Sequence, residues 1–419
     1  MTVAYASATA EVLATQVRPT DEPRRYQVAP LSVIDEGTYF LVGDPATNEF
    51  YQFPAVAVEI VSLLREGWSD HEITEHLHRR GDVVDVADLI DTLSSLSMVR
   101  VSVDGGEAPS VAAEPQPSGA FATAVLLGKA LFSPVGWIIY LLVLASAAIA
   151  VVNRPDLLPS VSALAFNDHL TATMIALLVL HGGAVAIHEA CHMLAAARHG
   201  VRTELGFGNR LWSIVAEADL SGILALPRRR RYLPLAAGMV ADFFVVAACT
   251  LALAYLFDPG STTIGATLLR ALILQILLTV GWQFNFYLRT DVYYLLCTYA
   301  RQPRLDTDAQ EYRSALAYRL SGGLLGRAPR RREPVSAMVR FFALLWAVGR
   351  LIAIGALCFI FIPTVAHYII LAVRTFNDPT AGTYRKLDTV MFVACVVSLM
   401  GVGMAMWLMS TVRAYRKDD

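Results

Sequence analysis

The chain has 419 residues, 55% of them hydrophobic and only 17% charged, with a mean hydropathy of +0.49, which excludes an ordinary water-soluble globular protein and indicates a membrane protein. The net charge of −2 is close to neutral, so the placement of charge along the chain is more informative than its sum. The five cysteines, Cys191, Cys249, Cys297, Cys358 and Cys395, form no CxxC pair and fall in or beside apolar segments; they read as buried small apolar residues, not as a disulfide framework.

In chain order, residues 1–22 are polar, are expected to be disordered, and lack the basic, apolar, small-residue order of a secretory signal. Residues 23–103 have the pattern of a small α+β domain. YQVAPLSVI, TYFLVG and EFYQF read as three strands, with Asp44, Pro45 and Asn48 supplying turn chemistry between the last two. Pro54 opens a helical pattern through Leu64. Ser69-Asp70-His71-Glu72 is a capping box that opens a second helix, a third runs from about Val84 to Leu96, and MVRVSV closes as a strand or wing. This order is winged-helix-like. Residues 104–120 are rich in Gly, Pro, Ser and Ala without an apolar period and read as a flexible linker.

Residues 121–419 carry the membrane signal. Six runs approach the roughly 20 residues that cross a hydrocarbon core: about 134–152, 171–198, 232–257, 262–283, 338–362 and 388–411; the stretch 363–375 is too short for a seventh. The expected fold is therefore mainly α, a polytopic helical bundle of about six transmembrane helices with a small N-terminal α+β domain. Basic clusters at Arg228–Arg231, Arg327–Arg332 and Arg413–Lys417 place those ends in the cytoplasm under the positive-inside rule, with both termini inside.

Within the second run, His188-Glu189-Ala190-Cys191-His192 places two imidazoles one helical turn apart on one face, where both can reach one Zn²⁺. Glu189 lies beside them, positioned to take a proton from water and pass it to a leaving amine. His71-Glu72-Ile73-Thr74-Glu75 is a near-copy in the soluble domain, but His and Glu inside an apolar helix are costly and are retained for function. A catalytic zinc needs a third protein ligand. Asp242 and Asp291 are the candidates at membrane depth, and Glu217 and Asp219 are weaker ones. Asp291 follows a polar patch of Gln283, Asn285, Arg289 and Thr290, as expected of irregular backbone lining a protein cavity, although an ion pair with Arg289 would also use it. Asp242 could instead be a polar packing partner. His181, seven residues before His188, suits an outer role or an alternative ligand.

HEACHMLAAARHG, then YLPLAAGMVADFF, then NFYLRTDVYYLL, together resemble the site-2-protease clan of zinc intramembrane metalloproteases over roughly residues 171–300. The resemblance implies His188, His192 and Asp291 as ligands, Glu189 as catalytic base, and Asn285 as a substrate-contacting or positioning residue. Phe286 stands where the clan has Pro and Val292 where it has Gly, while the Asn-to-Asp spacing is kept.

Residues 26–103 resemble PqqD-like modules that recognise leader peptides of ribosomally synthesised, modified peptides; the capped SDHEITEHL helix and the DVADLIDTLSSLSMV segment carry the likeness. In such modules a leader adds as a strand to the sheet edge. The last helix holds Asp85, Asp88 and Asp91 and no Lys or Arg, which argues against nucleic acid as a partner. Together the two parts resemble the daptide-type intramembrane metalloproteases. They imply a zinc endopeptidase of a bacterial-type cytoplasmic membrane whose partners are a precursor peptide, the bilayer, and the modification enzymes or exporter of the same pathway. The alternatives are cleavage of a membrane-anchored regulator, a non-catalytic binding or export protein, and a proton-relaying transporter; the last predicts inverted repeats, which the chain does not show.

Overall fold

The computed structural model describes residues 24–37, 39–44, 49–82, 84–101, 119–210, 213–285, 289–302, 305–324, 326 and 336–415. They form two compact units. The first holds the described residues up to Val125 together with 199–203 and 219–231, and the second holds the rest.

In the first unit, β1 (Tyr26–Val28) pairs antiparallel with β5 (Val99–Val101), while β2 (Ser32–Asp35), β3 (Phe40–Asp44) and β4 (Glu49–Phe53) form a separate antiparallel sheet in that order. The single strand expected over YQVAPLSVI is thus broken in two. Pro30 explains the break, because it has no N–H to donate and its fixed φ ends the ladder. The expected turn at Pro45 to Asn48 lies outside the described residues.

Three helices follow: α1 (Ala55–Arg65) behind Pro54, α2 (Asp70–Arg80) and α3 (Val86–Ser95). The capping box at α2 is complete. Ser69 Oγ accepts from the Glu72 N–H, and Glu72 Oε2 accepts from the Ser69 N–H at 2.8 Å. Those hydrogen bonds hold the Glu72 carboxyl below its ordinary value. Gly81 ends α2 at φ 88°, a left-handed position that a side chain would strain. Ile60, Leu64, Ile73, Leu77 and Leu93 are essentially fully buried in the shared core, each contributing about 1.5–3 kcal/mol of hydrophobic stabilisation.

A short 3-10 turn, Ser221–Ala225, packs on β2 and β4 in this unit. Arg231 secures it. Its Nε donates to the Leu226 carbonyl at 2.8 Å, its Nη2 donates to the Leu224 carbonyl at 3.0 Å, and its Nη1 lies 2.5 Å from Glu36 Oε1. Both side chains of this ion pair are almost completely buried, 4% and 3% exposed. Arg231→Gln leaves Glu36 charged and unpaired, and should destabilise the unit by about 3–5 kcal/mol. Hydrogen exchange of the β2–β4 amides in the full chain reads that loss directly, and unchanged protection would contradict it.

Among the described residues, six helices, lying almost wholly in the second unit, are long and apolar enough to cross a membrane. They are α5 (Pro134–Asn153), α6 (Leu170–Ala197), α7 (Arg228–Leu256), α8 (Ile264–Trp282), a composite of α11 (Ala337–Ala356) and α12 (Ile362–Asn377), and α13 (Thr383–Tyr415). Many of their outward side chains are large and apolar, including Ile138, Leu142, Leu351 and Phe359, a surface suited to lipid. The stretch 363–375 is not a separate element. A π turn at Leu357–Phe361, just before Pro363, joins α11 to α12 without a break; the wider turn is the local adjustment expected where a proline cannot donate its backbone hydrogen bond. Among the cysteines only Cys297 is buried; Cys358 is exposed on the apolar surface, contrary to the sequence expectation.

Further elements are an apolar helix, α4 (Gly119–Leu131), two 3-10 turns at Pro155–Leu157 and Val161–Leu164, the hairpin β6 (Leu205–Arg210) and β7 (Ser213–Ala218), and the helices α9 (Asp291–Ala300) and α10 (Leu305–Leu320). The linker expected over 104–120 therefore gives way to helix at Gly119. α6 is anchored at both ends. Asp388 of α13 accepts from the free N–H groups of Leu170 and Thr171 at 2.8 and 3.0 Å, placing an acid at the positive end of the helix dipole. At the other end Arg198 donates to the Phe132 carbonyl, and Gly128 of α4 lies so close to Leu194 that a Cβ there would stand 2.1 Å from its carbonyl oxygen.

Candidate metal centre

α6 carries His188 and His192 one turn apart, and both are buried, 6% and 2% exposed. Their outer nitrogens are tied down. His188 Nδ1 donates to Asp242 Oδ2 at 2.9 Å, and His192 Nδ1 donates to the Pro234 carbonyl at 2.6 Å. A carbonyl can only accept, so Nδ1 of His192 carries the proton, and the Nε2 lone pair of the neutral ring points inward. The same logic turns His188 Nε2 toward the same point.

Asp291 completes the group. Its Oδ2 lies 3.2 Å from His188 Nε2 and 3.3 Å from His192 Nε2, and the two Nε2 atoms are 3.1 Å apart. Three acceptor atoms facing one point repel one another unless a cation sits between them. Tetrahedral coordination at about 2.0–2.1 Å requires ligand atoms about 3.3 Å apart, which is the triangle observed. Among the described residues, His188, His192 and Asp291 are the group that could hold a metal ion, and the donor set fits one.

The loop before Asp291 is built to present it. The Asp291 N–H donates to Gln283 Oε1 at 3.2 Å, and Thr290 Oγ1 donates to the Gln283 carbonyl. Arg289 takes a left-handed φ of 52° just before Thr290, which stands at the N-cap position of α9 with its hydroxyl turned to Gln283. Asp291 therefore stands in the first turn of α9, where the helix dipole favours its charge. The ion pair weighed for Asp291 with Arg289 is not the arrangement observed, since Arg289 Nε lies 3.8 Å from Asp306 instead. Phe286 is outside the described residues; Val292 follows Asp291 within the helix.

Two residues not identified from the sequence complete the centre. Gly238 of α7 faces both histidines: a Cβ there would lie 2.3 Å from His188 Nε2 and 2.3 Å from His192 Nε2. Pro234, in the seventh position of α7, supplies the carbonyl that orients His192. α7 starts at Arg228, six residues before Pro234 and four before the apolar run expected from about residue 232. A signal for Gly238 did exist, a lone glycine between apolar residues of a spanning helix, but nothing in the sequence told which neighbour came close.

Glu189 points to the hairpin side of α6, its Oε2 accepting from the Ala218 N–H at the end of β7 at 2.7 Å. Asp242 meets the outer nitrogen of His188 and is not part of the His188–His192–Asp291 group. His181 is not in the metal group; its Nδ1 is buried without a hydrogen-bond partner among the described residues. Asn285 is buried in the loop that leads to Asp291. Of the two weaker candidates, Glu217 lies on β7 and Asp219 accepts from the Ser221 N–H and hydroxyl at 2.9 and 2.6 Å, closing a local turn.

Because Asp242 fixes the tautomer and orientation of the His188 ring, Asp242→Asn should weaken metal affinity by about 10–100-fold with the three candidate ligands intact. Competition of the purified protein against a chromogenic chelator measures it, and an unchanged affinity would remove Asp242 from the centre. Comparison of the chain with protein-family models, with curated proteins and with solved structures gives no match, so its assignment rests on this geometry and on the sequence motifs.

Proposed function

We propose that this protein is an intramembrane zinc endopeptidase of the site-2-protease type that removes the leader from a ribosomally synthesised, modified precursor peptide. The observation that carries the reading is the His188–His192–Asp291 triangle with Glu189 beside it on a membrane-spanning helix. Two imidazoles and one carboxylate are the donor set of catalytic zinc in metalloproteases, a set that leaves one coordination position for water.

When bound, zinc supplies Lewis acidity toward water and toward the scissile carbonyl. His188, His192 and Asp291 hold it, and Asp242 and the Pro234 carbonyl keep both rings from turning away. Glu189 takes the proton as the water oxygen bonds to the carbonyl carbon, and delivers it to the peptide nitrogen as the C–N bond breaks, leaving a carboxylate and an amine. Asn285, in the loop before Asp291, positions the substrate backbone.

The N-terminal unit, with four strands, three helices and a further strand, is consistent with a winged-helix-like, PqqD-like peptide-recognition module, in which a leader would add as a strand to a sheet edge. A captured leader holds the attached core peptide at high effective concentration near the membrane. Topology with both termini in the cytoplasm of a bacterial-type membrane suits a precursor made there. The test is co-expression of the full chain with the small precursor encoded beside it, followed by mass spectrometry of the peptide. Cleavage at one bond by the wild type, lost in Glu189→Gln, is the expected result. An intact precursor with folded, metal-loaded wild type would overturn leader removal and favour cleavage of a membrane-anchored regulator.

A further inference from the structure

The composite helix α11–α12 has 41 residues and is about 60 Å long, twice the hydrocarbon thickness of about 30 Å. Only part of it can be in the bilayer core. Residues 351–373 contain no Asp, Glu, Lys or Arg, span about 34 Å, and are flanked by Arg350 and Arg374. Taking this charge-free stretch as the part within the bilayer, in place of the run 338–362 expected from apolar length alone, sets Arg350 at one membrane–water boundary.

At that level two cations converge on one ring. Arg313 of α10 stands with its guanidinium carbon 3.8 Å from the Trp346 ring centroid, and that of Arg350, one turn after Trp346 on α11, is 5.2 Å from it. Arg313 is half-buried, and its Nη1 is buried without a hydrogen-bond partner among the described residues. Arg350 is exposed. The acid whose charge acts on Arg313 is Asp306, which also faces Arg289 Nε at 3.8 Å. Burial holds the Arg313 guanidinium below its ordinary value; Asp306 opposes this and Arg350 adds to it. Two like charges gathered on one aromatic ring, one with an unused buried donor, form an incomplete site that an anion would complete.

We propose that Arg313 and Arg350 bind the phosphate of an anionic lipid headgroup, with Trp346 as the platform that orients both guanidiniums. Guanidinium donors match phosphate oxygens in pairs, and tryptophan with arginine at the boundary is the composition expected where headgroups lie. The site rests on the core shared by α9, α10 and α11, in which Tyr293 and Cys297 pack with Leu305, Ala309, Val339 and Phe342. A bound headgroup would therefore brace the helix that begins with Asp291.

Native mass spectrometry of the full chain, released from phosphatidylcholine nanodiscs doped with phosphatidylglycerol, tests the assignment. The wild type should retain phosphatidylglycerol in preference to phosphatidylcholine. Arg350→Gln should weaken that retention about fivefold and Arg313→Gln with Arg350→Gln about thirtyfold, the effect of one and two arginines beside an anionic headgroup. Arg350 is exposed, so its single variant keeps the fold and carries the test alone if the double variant does not. Arg340→Gln, on the same helix, should change nothing. Equal retention of the two lipids, an equal loss in Arg340→Gln, or displacement of phosphatidylglycerol by millimolar inorganic phosphate would each overturn the proposal.

Discussion

Gly238→Ala should leave the helices folded and the protein without metal. The added Cβ would stand 2.3 Å from each ligand nitrogen, inside any van der Waals contact and in the position the ion needs. Neither side can give way easily. The imidazoles are held at Nδ1 by Asp242 and by the Pro234 carbonyl, and the backbone of α7 is fixed beside them by Ala237, buried with Phe132 and Ala195. In an ordinary helix interior the same substitution stabilises by about 0.5–1 kcal/mol, but here the imidazoles or α7 must shift to relieve the clash at a cost of about 1–3 kcal/mol, so the metal-free fold should persist with somewhat lower stability. The loss in metal affinity should exceed the about 10–100-fold expected from disturbing one outer hydrogen bond, because two ligands are displaced at once. Elemental analysis of the purified variant beside the wild type decides it: stoichiometric metal in Gly238→Ala would mean that the ion sits elsewhere.

Glu189→Gln should do the reverse, keeping the metal and losing the reaction. The amide oxygen of glutamine can still accept from the Ala218 N–H, so the end of β7 stays in place, and none of the three ligand atoms is touched. What is lost is the ability to take a proton from water and return it to the leaving amine, worth about 10²–10⁴-fold in rate. Full metal content together with a rate lowered by that factor supports Glu189 as the base. A variant that cleaves at the wild-type rate would assign proton transfer to another group, and one that loses metal would make Glu189 structural.

Several parts of this protein were readable from local sequence. The capping box at Ser69 and Glu72 needs only residues three apart, and it forms as written. The spanning helices follow from uninterrupted apolar length, because a membrane leaves few other solutions for the backbone. His188 and His192 share a face because a helix turns in 3.6 residues, so their convergence is a local property. The break at Pro30 was also local, but a run of β-formers on either side obscured it.

The third member of the candidate metal group was not local. Asp242 and Asp291 were both acids at membrane depth, separated from His188 by 54 and 103 residues, and no periodicity relates such positions. The packing of α7 and of the loop before α9 against α6 decides that Asp242 meets the outer nitrogen Nδ1 and Asp291 the inner nitrogen Nε2. The same packing gives Gly238 its importance, since the absence of a side chain matters only where another chain segment comes within contact distance. The sequence by itself marked His188, Glu189 and His192 as candidates and placed them in one apolar helix. Only the tertiary structure decided which atom of each faces the shared point, because that depends on interhelical distances of a few ångströms, set by side chains far apart in the chain.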